Sequence, residues 1–100
     1  MHRFTVLYPN QSGAKFDFDY YMGKHIPWVS ALVGQKIEVR KGISSLGGAP
    51  AAFVCVASIP VKSITEFKAI LGQHGGQITA DIANFTNIQP TIQFEELLTA

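Results

Sequence analysis

The chain has 100 residues, 47% apolar and 15% charged, with a net charge of +1; this is one domain, with no room for a second. Arg3, Lys36, Arg40 and Lys41 are scattered, which excludes a nucleic-acid footprint, and a single cysteine, Cys55, excludes an internal disulfide or a cysteine metal cluster. No apolar stretch approaches the roughly 20 residues that cross a bilayer, and residues 1–5 lack the pattern of a secretory leader, so a soluble cytoplasmic protein is expected.

Residues 3–8 are rich in β-branched and aromatic types and end at the turn cluster Pro9-Asn10-Gln11-Ser12-Gly13; this is the first predicted strand. A helix follows. Asp17 is its expected N-cap, Asp19 adds negative charge in the first turn, and Phe16 is placed to staple onto Tyr21. Phe18, Met22, His25, Val29 and Leu32 then recur at spacings of four, three, four and three, which is one helical face. Pro27 lies inside this pattern. It removes a backbone donor and is expected to kink the helix or restart it near residue 26. Gly34 ends the helix.

Residues 35–43 alternate, with Ile37, Val39 and Lys41 on one side and Lys36, Glu38 and Arg40 on the other, as in a strand with one wet face. Ser44 to Pro50 is a loop. Residues 51–59 are apolar almost throughout and read as a strand covered on both faces, with Cys55 a small buried hydrophobe. Ser63-Ile64-Thr65-Glu66 is a capping-box pattern opening a second helix with Phe67, Ile70 and Leu71 on its apolar face. Gly72-Gln73-His74-Gly75-Gly76 is expected to interrupt it. Residues 77–85 resume the helix with Ile78, Ile82 and Phe85. Pro90 opens the last strand, where Ile92 and Phe94 alternate with Gln93 and Glu95.

The order βαββαβ predicts an α+β, ferredoxin-like fold: a four-stranded antiparallel sheet with both helices on one face. The other sheet face is then uncovered, although the third strand reads as buried on both sides. The charged share is also below the usual ~25%. The free face is therefore expected to pack on the same face of a second subunit, and the homodimer to close into a barrel. The enclosed space, or a cleft between the sheet and the first helix, is the expected binding cavity.

The run Phe16-Asp17-Phe18-Asp19-Tyr20-Tyr21-Met22-Gly23-Lys24-His25-Ile26-Pro27 resembles the signature of the EthD family, named for ethyl tert-butyl ether degradation. The remaining elements follow in that family's order, so the resemblance covers nearly the whole chain as one EthD-like domain, residues 1–100. It implies membership of the dimeric α+β barrel superfamily. That group includes muconolactone isomerases, polyketide cyclases, cofactor-free monooxygenases, haem-degrading enzymes and dehydratases. The resemblance also implies a small hydrophobic cyclic or ether-type ligand in a degradative pathway. The expected cofactor is none, with haem held by a histidine as a minor alternative. No metal set is expected, because the three histidines lack short spacing and there is no acidic cluster.

Within the signature, His25 is a candidate general acid or base, since an imidazole titrates near neutrality. Tyr21, one turn earlier, is placed to hydrogen-bond it or a ligand. The competing reading is a structural histidine satisfied by a backbone carbonyl that Pro27 has freed. Trp28 and Tyr20 are amphipathic and suit a cavity wall or the dimer seam. Asp19 is either a third group at the site or only a partner of the helix dipole. His74, among glycines, reads as a gate or as a solvated loop residue, and His2 as exposed. Two functions remain open: a cofactor-free enzyme of proton-transfer, isomerase, cyclase, dehydratase or monooxygenase type, and a non-catalytic ligand carrier for an oxygenase component.

Overall fold

The computed structural model describes residues 1–99. Four strands, β1 (His2–Pro9), β2 (Glu38–Lys41), β3 (Phe53–Val61) and β4 (Thr91–Glu96), form one antiparallel sheet in the order β2-β3-β1-β4. β1 is central. Its register pairs Phe4 with Ile59 and Phe94, and Val6 with Ala57 and Ile92. The two-residue period sends Phe4, Val6 and Tyr8 to one face and Arg3, Thr5 and Leu7 to the other. The first face meets both helices, as expected for the ferredoxin-like arrangement.

The open face is polar at its centre. Thr5 and Ser58, cross-strand partners, are both buried there. The Thr5 hydroxyl donates to Glu95, Gln93 donates to the same carboxylate at 2.6 Å, and Arg3 reaches Ser58 at 3.5 Å. Val54, Val56 and Pro60 of β3 are only half-buried on this side.

Helix α1 runs over residues 18–33 in three pieces: an α-turn Phe18–Tyr20, a π-turn Tyr21–His25, and α-helix Ile26–Val33. Its start is built as the residues dictate. The Asp17 carboxylate accepts the Tyr20 N–H at 3.0 Å, and the Phe16 ring lies 5.0 Å from that of Tyr21. Pro27 has no N–H to continue an α ladder. The chain answers with the π-turn, in which the Ile26 N–H reaches back five residues to the Tyr21 carbonyl, and α geometry restarts at Ile26. Gly34, at φ 68°, closes the helix by donating to Ser30. The wider turn also changes the helix phase. Met22, expected on the inner stripe, is 48% exposed, and Tyr21 takes its place at 1%.

Helix α2 (Ile64–Ile82) corrects the expected break at Gly72 to Gly76. Ser63 caps it by accepting the Glu66 N–H, and the helix then runs unbroken through all three glycines. Packing explains this. Phe67, Leu71, Ile78 and Ile82 seat the helix on the sheet side by side, and tertiary contact outweighs the glycine cost. His74 therefore stands mid-helix, not in a gating loop. The α-helix ends at Ile82, and Phe85 lies in the turn beyond it.

A Cβ added at Gly72 or Gly76 meets no atom within 4 Å, and both positions are exposed. Gly72→Ala and Gly76→Ala are each expected to raise the unfolding free energy by about 0.5–1 kcal/mol. Urea unfolding of the two variants checks this; a lower midpoint in either would contradict the continuous helix.

Candidate functional site

A cavity of about 390 Å³ lies between the sheet and the two helices. The sheet contributes Phe4, Val6, Ala57 and Ile59; α1 contributes Val29 and Val33; α2 contributes Phe67, Ile78 and Ile82. The walls are thus almost wholly apolar. Polar groups enter at a few points: Tyr8, Tyr21, His25, Thr79 and Gln89. An apolar chamber with few polar groups is the usual form of a small-molecule site.

His25 is the last residue of the π-turn, and its side chain is 7% exposed. Its Nδ1 lies 2.8 Å from Oδ2 of Asp81, 56 residues away at the end of α2. The other carboxylate oxygen of Asp81 accepts from the Tyr20 hydroxyl at 2.7 Å and from the Asn84 amide at 2.9 Å. The chain holds the two helix ends together around this group. Asp17 N–H donates to the Phe85 carbonyl at 2.7 Å, the Thr86 hydroxyl to the Lys15 carbonyl at 2.6 Å, and Lys15 N–H to the Asn87 side chain at 2.9 Å.

Burial pushes the Asp81 carboxyl up. The hydrogen bonds from Tyr20, Asn84 and His25, with the charge of His25, outweigh that and hold it down at about 2. Asp81 is therefore ionised at neutral pH, and Nδ1 of His25 must donate to it. In the neutral ring this leaves Nε2 as the proton acceptor. The carboxylate fixes the orientation of the imidazole, an arrangement of the kind general-base catalysis uses.

Aromatic packing fixes the imidazole plane. Tyr21 stacks on it at 5.5 Å with 15° between planes, the Phe85 ring centre lies at 4.7 Å, and Trp28 meets it edge-on at 6.1 Å. The hydroxyl of Tyr21 is turned toward Tyr8 and Cys55. Burial raises both tyrosine hydroxyls and pushes the Cys55 thiol up to about 11, so all three groups keep their protons at neutral pH. They are hydrogen-bond donors, not bases.

The expected site residues divide accordingly. His25 and Tyr21 line the cavity together. Tyr20 does not line it; it holds Asp81 from outside, and that bond raises its own hydroxyl pKa. Trp28 packs on His25 without lining the chamber. Asp19 is exposed in the first helical turn, away from the cavity, and the carboxylate beside His25 is Asp81. Asp81, Asn84 and Tyr8 escape the sequence reading. One signal existed: Asp81 is the only acidic residue between Glu66 and Glu95. No group of three or more His, Cys, Asp or Glu side chains is placed to hold a metal among the described residues.

With this geometry in view, the comparisons with other proteins are specific. The EthD domain family matches residues 9–89. A crystal structure of an EthD-like protein from Ralstonia eutropha JMP134 superposes with a TM-score of 0.92 at 38% identity, covering 98% of this chain and 92% of that one. An EthD family protein from Bacillus halodurans C-125 gives 0.77 at 16% identity, over 98% and 99%. HapK from Hahella chejuensis shares the fold at 0.52 and 14% identity, over 98% and 95%. A search of curated proteins finds no match.

The lowered Asp81 pKa has a consequence for stability. A carboxyl whose pKa falls from 3.8 unfolded to about 2 folded stabilises the fold fully above pH 3.8, and that contribution disappears as pH falls through about 2. Asp81→Asn is expected to be less stable than the native chain at neutral pH and to show a shallower loss across this acid window. Urea midpoints against pH measure it; parallel curves for the two proteins would contradict the linkage.

Proposed function

The chain belongs to the EthD family, and from that premise we propose that it binds a small hydrophobic cyclic compound and moves a proton on it with His25. One observation carries this reading: among the described residues His25, oriented by Asp81 at 2.8 Å, is the one imidazole on the wall of a mostly apolar chamber. Nε2 takes a proton from a C–H or O–H next to a carbonyl or phenol. Asp81 stabilises the imidazolium that results, and the proton returns at a second position. The reaction class is isomerisation, cyclisation or dehydration without a bound cofactor. Low dielectric around the pair strengthens both contacts.

A second reading is supported by the same residues. The His25–Asp81 contact also ties α1 to α2, a role the fold needs without any chemistry. On that reading the protein carries a hydrophobic ligand for an oxygenase component.

The homodimer belongs to this proposal as well. Ile43 and Leu46, on the loop after β2, are 90% and 107% exposed, and Leu98 is 86% exposed. Large apolar side chains left this exposed are candidates for cover by a partner. Light scattering after gel filtration is expected to give twice the chain mass; a monomer at micromolar concentration would contradict the dimer.

The chemical reading is tested with 2-tetralone, a bicyclic ketone with acidic C–H bonds, in D2O. The native protein is expected to accelerate deuterium uptake seen by NMR, and His25→Ala to lose at least about a hundredfold of that acceleration. Equal rates for both proteins would remove His25 as the base. Ligand affinity that is flat through the histidine range would support the carrier.

A further inference from the structure

The inward stripe of α2 reads Phe67, Leu71, Gly75, Ile78 and Ile82, and all five line the cavity. Four are large and apolar. The fifth has no side chain. Gly72 and Gly76 lie on the exposed side of the helix, but Gly75 is half-buried and faces the chamber. A Cβ built at Gly75 meets no atom within 4 Å. No neighbour presses on the helix there, and its backbone is ordinary right-handed helix, so neither close packing nor positive φ requires glycine. What the glycine does is leave a notch in the cavity wall.

Gly75 precedes Asp81 by six residues, or about 9 Å along the axis of the same helix. Asp81 holds His25, and His25 and Gly75 both line the chamber, so a ligand that meets His25 and also fills the notch has a length on the order of two fused rings. We propose that Gly75 is a specificity-determining residue, which lengthens the chamber so that it accepts a bicyclic aromatic or alicyclic compound with one oxygen near His25. This rests on the reading of the cavity as the ligand site.

The test uses 2-naphthol and phenol as probes, with affinities from isothermal calorimetry on the native protein, Gly75→Ala, Gly75→Leu and Gly76→Ala. Gly75→Leu is expected to weaken 2-naphthol by about tenfold or more while phenol changes by less than about threefold. Gly75→Ala, whose methyl has open space, is expected to fall between. Gly76→Ala, on the outer face, is expected to bind as the native protein does. Thermal unfolding of each variant confirms a native fold. Unchanged 2-naphthol affinity in Gly75→Leu would overturn the proposal, as would equal loss of both probes in a natively folded variant. Failure of the native protein to bind either probe would instead overturn the cavity reading itself, and this inference with it.

Discussion

The Asp81 carboxylate is the constraint on which the rest of the site depends. It receives the Tyr20 hydroxyl, the Asn84 amide and the His25 imidazole, and so joins two helices that are distant in sequence. An ionised carboxylate this sheltered persists only because each of its oxygens is satisfied. Removing the carboxylate frees more than one partner. It releases the tautomer of His25, the start of α1 and the turn after α2 together. Mutational effects there are therefore expected to couple rather than add.

The π-turn is the second half of the same device. Pro27 forbids an unbroken α ladder, and the wider turn that results brings Tyr21 and His25 into one stack facing the chamber. A short π segment often marks a functional position, because it re-aims side chains at a cost regular helix avoids. Here it places the His25 imidazole at the wall and packs its plane among Tyr21, Phe85 and Trp28. The buried hydroxyls of Tyr8 and Tyr21 stay protonated, so the chamber wall carries neutral polar groups beside the imidazole.

Much of the fold is legible in the sequence, for local reasons. The β-branched and aromatic run of β1, the alternation in β4, the Asp17 and Ser63 caps, the Phe16–Tyr21 staple and the Gly34 stop are each set by residues within a few positions of one another. The signature from Phe16 to Pro27 likewise identifies the family, and it contains His25, which the structure places on the cavity wall. What escapes is non-local or a matter of phase. Asp81 meets His25 only after the sheet brings the helix ends together. Met22 and Tyr21 exchange places because the π-turn shifts the period by which they were assigned. The glycines of α2 read as a break, since propensity is local and the packing of Phe67, Leu71, Ile78 and Ile82 that overrides it is not. Asp19 lies in the same turn as the signature tyrosines, yet geometry leaves it in water.

The central claim is that Asp81 holds the proton on Nδ1 of His25 and leaves Nε2 free to act on a ligand in the chamber. The most direct measurement is 15N NMR of the labelled imidazole at a pH where the ring is neutral, with and without 2-naphthol. The account predicts a protonated Nδ1, an unprotonated Nε2, and a shift at Nε2 alone when the ligand is added. A proton on Nε2, or a ligand that leaves both nitrogens unmoved, would contradict it.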